Sequence, residues 1–465
     1  MTAITRPTVM KFGGTCVEDA AAFERLLHIV RAHKGLPSVI VVSAMSGFTD
    51  ALLESAARAA QGDVDTAAHL LVKHLERHLL VARTLTSESG MIAQKLEGAR
   101  REIGGLLESV RAQVLPFPLL QDLIVSYGER LSSNLLAAVL RKAGLPAQAI
   151  DARRCIVTNA EHGRAEPLLE ATEVRTRSEL EPLIANAQIP VLGGFIGSTA
   201  DGTTTTLGRG GSDYTAALVG AALGALEVQI WTDVPGVLTA DPRLLPQART
   251  IPRLSYAEAA ELAYFGARVL HPKTIQPAVE LDIPVRICNA RAPGEDGTIV
   301  CADTEVSPQA VKAIAYKTGI TLVQITSARM LGAHGFLHAI FEIFNRHRTV
   351  IDVVTTSEVS VSLSLDDASA LPAIANELKQ LGVVHIEQQR AIICVVGEGL
   401  RGTPGIAARI FGCLSDINIS LISQGASRIN LTFVVEEQRV REAVSRLHET
   451  FFVSDVAPLV EEVGA

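Results

Sequence analysis

Short runs of β-branched and aliphatic residues punctuate the first part of the chain: Val39–Ser43, Ile189–Gly193, Val228–Thr232 and Ile283–Ile287. Between them, apolar positions recur with helical spacing. Continuous apolar strands are buried on both faces, the pattern of a parallel sheet covered by helices. Residues 1–292 are therefore expected to form one large α/β domain. From roughly 51 to 140 the pattern is helical and rich in Ala, Leu, Glu and Arg, which predicts a helical flank beside the sheet.

Residues 291–310 carry Pro, Gly and acidic residues with little periodicity and mark a connection. A different architecture follows. Setting Gly335 over Gly405 superposes Phe341 on Phe411, Phe344 on Leu414, Ile351 on Leu421, Ser357 on Ser427 and Leu363 on Phe433 without a gap, an internal repeat at an offset of 70. Each copy reads as strand (Thr321–Ile325; Ile392–Val396), glycine loop, amphipathic helix (Phe336–Arg346; Ile406–Asp416), strand, turn and strand. The expected division is a connection with a first strand (293–318), a first copy (319–388) and a second (389–465). A β-α-β-β unit of this size buries its sheet face poorly alone, so the copies are expected to pack together and to dimerise.

With 465 residues the chain can hold two or three domains, and 48% hydrophobic with 20% charged residues is ordinary for a globular protein. The 50 acidic against 42 basic residues, with no Lys/Arg block, leave no electrostatic footprint for nucleic acid. No apolar run approaches the roughly 18 residues that span a bilayer, and the first residues lack the apolar core of a signal peptide. A cytoplasmic protein without membrane or nucleic-acid partners is expected. Six scattered cysteines, with no C-x-x-C pair, fit reduced thiols packed as small hydrophobes.

The chemistry starts at residues 9–17, where an apolar stub carries Lys11 and is followed by Gly13, Gly14 and Thr15 at the opening of a helical stretch. A strand, a glycine turn and a helix N-terminus suit a phosphate, with Lys11 as a point charge beside them. The G-x-x-x-x-G-K-[ST] loop is absent from the chain. Four more clusters lie at strand ends or loops: Ser43–Thr49, Tyr127–Arg130, Gly193–Gly197 with Thr206–Asp213, and Trp231–Val237 with Asp241–Arg243. Open α/β sheets place their ligands at such ends.

Taken together and in this order, K-F-G-G-T-C, Y-G-E-R, G-G-F-I-G, G-R-G-G-S-D and T-D-V-P-G resemble the amino-acid kinase family and, within it, the aspartate kinases, whose monofunctional members also end in two ACT repeats. The resemblance covers nearly the whole chain. It implies an amino-acid-kinase-type parallel-rich sheet sandwiched by helices, followed by two ferredoxin-like ACT (βαββαβ) modules. It also implies transfer of a phosphoryl group from ATP, with Mg²⁺, to the side-chain carboxylate of L-aspartate. Lys11, Gly13, Gly14 and Asp213 fall on the family's catalytic positions. Glu129 would meet the substrate ammonium and Arg209 its α-carboxylate, with Ser212 close by, while Ser43 and Thr49 would face the reacting carboxylate. The nucleotide positions are Lys11, Gly13, Gly14, Thr15, Thr232, Asp233, Leu238, Arg243 and Arg268; Leu238 stands where relatives often carry an aromatic residue and Arg268 where many carry Lys.

In the first repeat, Met330, Gly335, Phe336, Leu337, Asp352, Thr356 and Ser357 match the effector site of lysine-sensitive relatives. Asp352 has Ile422 as its counterpart in the second copy, so a carboxylate in one copy alone implies a ligand with an ammonium group there. The resemblance thus implies feedback inhibition by L-lysine and a homodimer through the ACT modules, or a tetramer.

Other readings compete at each position. A lone Glu129 or Arg209 is usually a solvated surface charge, Asp233 before Pro-Gly a turn former, and Asp352 a strand-end carboxylate in water. Another amino-acid kinase, acting on acetylglutamate, glutamate or UMP, and a catalytically inactive amino-acid sensor remain as rival functions. Gly397–Gly402 satisfies G-x-G-x-x-G, but no carboxylate for a ribose ends the following strand. His74 and His78 lie four apart on a helix, yet nothing completes a metal site and a solvated face is expected.

Overall fold

Every residue of β1 (Thr8–Phe12) and β2 (Ser38–Val42) is buried, as strands with helices on both faces must be. The computed structural model describes residues 6–266, 270–302, 304, 307 and 310–453. They divide into two units, one of residues 6–237, 252–256 and 271–302, the other of residues 238–251, 257–266 and 310–453 with 270, 304 and 307.

The first unit is built on an eight-stranded sheet with β3 (Ala147–Ile150), β4 (Ile189–Gly193), β7 (Glu227–Thr232), β8 (Arg253–Ser255), β9 (Val285–Asn289) and β10 (Thr298–Cys301), in the order β3-β4-β2-β1-β7-β9-β10-β8. A separate hairpin pairs β5 (Ile196–Ser198) with β6 (Thr204–Thr206). From β3 to β9 all neighbours are parallel; β10 runs antiparallel to β9, and the edge strand β8 runs parallel to β10. At the centre, β1 sets Lys11 between Val41 and Ile230.

Helix α1 (Ala20–Ala32) leads from β1 to β2. The expected flank is five helices, α2 (Phe48–Ala60), α3 (Val64–Leu85), α4 (Ser89–Arg111), α5 (Phe117–Val125) and α6 (Tyr127–Lys142). Their apolar faces share one core with the sheet, in which Phe12, Phe23, Phe48, Leu52, Ile103 and Leu136 meet. Three more helices belong to this unit, α7 (Leu169–Ala185), α8 (Gly211–Leu223) and α10 (Pro272–Val279), whereas α9 (Tyr256–Tyr264) lies, apart from its first residue, in the second.

The histidine pair departs from expectation. His74 and His78 are buried, with ring centroids 5.3 and 5.1 Å from that of Phe48. His78 Nδ1–H donates to the His74 carbonyl at 2.7 Å, and burial lowers both pKa values to about 4. They are neutral packing residues, because the flank is thick enough to cover the α3 face that carries them.

The second unit realises the repeat as one antiparallel six-stranded sheet of β11 (Ala313–Thr326), β12 (Val354–Thr356), β13 (Ser360–Leu365), β14 (Val383–Val396), β15 (Leu421–Gln424) and β16 (Asn430–Glu436), in the order β12-β13-β11-β14-β16-β15. Helices α11 (Phe336–Arg346), α12 (Leu371–Leu378), α13 (Ile406–Gly412) and α14 (Val440–His448) complete the two copies. The two longest strands each serve both copies. Thr321–Thr326 of β11 pairs with β13, whereas Ala313–Lys317 pairs with Val396–Ile392 of β14. Likewise Val383–Glu387 of β14 pairs with the first copy, and Arg390–Val396 with β16 of the second. The first copy's fourth strand therefore runs on as the second copy's first, and the second copy's fourth strand is the start of β11. Helix α13 ends at Gly412, short of the expected Asp416; beyond this poor helix former the bonds tighten to i→i+3, as in Ile417 N–H to the Leu414 carbonyl at 2.8 Å.

Phe433 is fully buried in the core of the second copy. Phe433→Ala should destabilise this unit by about 3–5 kcal/mol in urea unfolding. Amide exchange should accelerate along β13 as well as β16, because both copies share one ladder.

Candidate active site

The carboxyl ends of β1, β2, β4 and β7 open into one cavity of about 760 Å³, the position at which parallel sheets bind ligands. Most residues expected to carry chemistry line it: Lys11, Gly13, Gly14, Thr15, Ser43, Thr49, Glu129, Arg209, Ser212, Asp213, Thr232 and Asp233.

Lys11, at the end of the central strand, is 9% exposed and pairs with Asp213 Oδ1 at 2.6 Å. The turn after it differs from the expected helix N-terminus. Gly14–Val17 forms only a 3-10 turn, and α1 begins at Ala20, where the Asp19 carboxylate accepts from the Ala22 N–H at 2.8 Å. Gly13 N–H already donates to the Trp231 carbonyl at 3.1 Å. Among the described residues, the Gly14 and Thr15 N–H groups keep no partner and remain the donors of this loop. A full helix end is supplied instead by α8, whose first turn carries Ser212 and Asp213 behind the left-handed Gly210; its dipole favours negative charge in the cavity.

Glu129 lies in the first turn of α6 and is 3% exposed. Its Oε1 accepts from the Ala44 N–H at 3.1 Å, while Oε2 is buried with no partner among the described residues. Burial raises its pKa to about 8 against the opposing pull of the Ala44 N–H. The surface-charge reading of Glu129 therefore fails. The close approach that desolvates it needs glycine: a Cβ on Gly193 would stand 2.8 Å from Glu129 Cβ, and one on Gly194 2.7 Å from Ser212 Cα. The pair at the end of β4 thus lets α6 and α8 press on the strand end. Arg209 is exposed in a turn between two left-handed glycines, Gly208 at φ 74° and Gly210 at φ 75°, with no carboxylate partner among the described residues. It stands ready for an anion. Asp233 is exposed at the rim, where its Oδ1 accepts from Thr232 Oγ1 at 3.2 Å.

Three expected nucleotide residues are not among the lining residues. Leu238 and Arg243 lie in segment 238–251, part of the second unit, where Arg243 forks onto Asp241 at 2.6 Å. Arg268 lies outside the described residues.

Phe195 and Thr206, from the expected clusters, also line the cavity, whereas sequence reasoning passed over Asp122, Gln121 and Gly163. Asp122 carried a readable signal, since a carboxylate inside the apolar helix F-P-L-L-Q-D-L-I-V belongs at its buried face only if it is bonded there.

In the second unit, Met330 closes a 3-10 turn and Gly335, at φ 80°, caps α11, which begins with Phe336 and Leu337. Thr356 ends β12, and the Ser357 N–H donates to the Ser360 carbonyl at 2.8 Å. The Asp352 side chain is 4% exposed, not a carboxylate in water. Its Oδ1 accepts from the Tyr264 hydroxyl at 2.6 Å and lies 3.7 Å from Lys317 Nζ, and Oδ2 is buried without a partner among the described residues. Burial, followed by the neighbouring Asp366, raises its pKa.

A model of the amino acid kinase family matches residues 6–289, and an ACT domain model matches residues 393–451. The lysine-sensitive aspartokinase 3 of Escherichia coli is 38% identical, over 96% of this chain and 99% of that protein. Two crystal structures of E. coli aspartokinase III, one in complex with lysine and aspartate in the T-state and one with aspartate and ADP in the R-state, each superpose with a TM-score of 0.80 at 38% identity over 96% of this chain and 99% of theirs. The chain therefore belongs to the amino acid kinase family and, within it, to the aspartokinases, phosphotransferases with a carboxyl group as acceptor.

Proposed function

We propose that this chain phosphorylates the side-chain carboxylate of L-aspartate with ATP, giving 4-phospho-L-aspartate and ADP at the entry to lysine, threonine and methionine biosynthesis. The observation that carries the reading is Glu129, a buried carboxylate with an unpartnered oxygen in the cavity that also holds Lys11 and Arg209. An ammonium group is the ligand that restores such a carboxylate, and the Arg209 guanidinium fits the α-carboxylate of the same molecule. The relative crystallised with aspartate and ADP supports both ligands.

The nucleophile needs no general base, because the aspartate side chain is ionised at neutral pH. The task of the site is to bring it up to a polyanion and to stabilise charge on the transferring phosphoryl group. Lys11, the Gly14 and Thr15 amides and the α8 terminus serve that task, with Ser43 and Thr49 facing the reacting carboxylate and Thr232 and Asp233 at the nucleotide. Mg²⁺ would arrive on the nucleotide phosphates. When bound there it would neutralise phosphate charge.

The reading extends to regulation. Residues 319–388 act as the effector-binding ACT module and 389–465 as its partner, in a cytoplasmic homodimer or tetramer. L-Lysine binds at Asp352 with Met330, Gly335–Leu337, Thr356 and Ser357, its ammonium taking the carboxylate that Tyr264 now holds. The relative crystallised with lysine supports this assignment.

In an aspartate-dependent ADP-release assay, Lys11→Ala should lower kcat by roughly 10²-fold or more, the scale of losing one pre-organised donor. Glu129 must lose a proton to receive an ammonium, so KM for aspartate should fall with rising pH up to about 8, by as much as about tenfold per unit. The sign for stability is opposite. Unfolded Glu129 loses its proton near 4.5 and the folded residue near 8, so the free protein loses stability across that window and Glu129→Gln should raise Tm at its upper end. Asp352→Ala should abolish inhibition by lysine while kcat stays within about twofold, measured by lysine titration at fixed substrates.

A further inference from the structure

Asp122, on α5, is a second buried carboxylate in the active-site wall, at 2% exposure. In contrast to Glu129, both of its oxygens are bonded. Thr206 Oγ1 donates to Oδ1 at 2.5 Å, His162 Nδ1 to Oδ2 at 2.8 Å, and the Gly163 N–H reaches both oxygens at 3.1 Å. With both oxygens already held by three donors, this carboxylate is committed to the protein's own groups, unlike Glu129 with its unpartnered oxygen. What it does instead is join two pieces of backbone distant in sequence, the loop around residues 159–166 and strand β6.

Those two pieces bear on the turn that holds Arg209. The Ala165 N–H donates to the Thr206 carbonyl at 2.8 Å, and the Leu207 N–H to the Phe195 carbonyl at 2.9 Å. Gly208, left-handed, sits so close to the loop that a Cβ there would stand 3.3 Å from the Gly163 carbonyl oxygen. The Arg209 side chain has no carboxylate partner to hold it. Its position is therefore set by the backbone on which it stands, and that backbone is anchored three residues earlier, at Thr206, by the Asp122 network.

We propose that Asp122, with His162 as its outer donor, is a positioning residue for Arg209: the carboxylate pins β6 to the 162–163 loop and so presents the guanidinium to the α-carboxylate of the amino-acid substrate. The inference rests on the aspartate-kinase reading above. It separates the roles of two buried carboxylates a few residues apart, Glu129 receiving the substrate and Asp122 shaping the arginine that faces it.

The test is steady-state kinetics of the full chain with aspartate, ATP and Mg²⁺. Asp122→Asn places an NH₂ group against at least one of three donors, and should raise KM for aspartate by about tenfold while kcat and KM for ATP stay within about twofold. His162→Ala removes one donor from the 15%-exposed outer side. It should shift KM for aspartate in the same direction by several-fold and keep the probe available if Asp122→Asn does not fold; His162→Asn, which restores an N–H donor, should recover most of it. Arg209→Lys supplies the decisive background, since Asp122→Asn added to it should cost no further affinity for aspartate if Asp122 acts through Arg209. Additive effects in that double variant, equal losses in kcat and both KM values, or unchanged kinetics in all variants would overturn the proposal. Failure of the underlying reading is distinct, because the unmodified chain would then show no aspartate-dependent ADP release.

Discussion

Four backbones meet at the carboxyl end of β4 more closely than any residue with a Cβ permits. Added carbons on Gly128, Gly193 and Gly194 would fall within 2.8 Å of Ala44, Glu129 and Ser212. This steric constraint drives α6 into the loop after β2 and brings the first turn of α8 against the β4 end. Everything chemical in the cavity follows from it. Glu129 is squeezed out of water, its pKa rises, and Asp213 is delivered to Lys11. The glycine-rich motifs of this sequence are therefore as much about helices approaching strands as about backbone approaching phosphate.

The same packing explains how a cavity walled by carboxylates can admit anions. Three acidic side chains are drawn into its interior, and each is quenched by a different device. Asp213 is balanced by the Lys11 ammonium, Asp122 by two side-chain donors and a backbone N–H, and Glu129 by a retained proton. Among the described residues of the cavity, Arg209 is left without a counter-charge, and unpaired N–H groups at Gly14 and Thr15 add to it. The interior is thereby poised for negative ligands, and Glu129, with its unpartnered buried oxygen, offers a place for a positive group.

The sequence made the strands readable because they are covered on both faces, and an apolar run such as V-I-V-V has no other use in a domain of this size. The repeat was equally plain, since its offset is free of gaps. Lys11, Glu129 and Arg209 were found through glycine-flanked motifs. What escaped depends on three-dimensional closure. The apolar helix around Asp122 signals a buried, bonded carboxylate, but its partners come from the 162–163 loop and β6, which only the folded chain brings to it. His74 and His78 were misjudged because the burial of α3 is decided by α2 and α4, which local spacing does not reveal. The turn after Lys11 read as a helix start, whereas Asp19 caps the true helix one turn later. Strand sharing between the two repeats could not be read at all, because a repeat pattern gives each copy's elements and not which copy's sheet they join.

That strand sharing makes the regulatory pair topologically circular. The beginning of β11 belongs to the sheet of the later copy, and β14 passes from one sheet to the other without a break. A scission between residues 388 and 389 falls inside β14, and a start after Lys317 deprives the second copy of its outermost strand. Neither module can therefore be inherited, transplanted or lost singly. Evolution and engineers alike must handle the sensor as one indivisible cassette that opens ahead of Ala313.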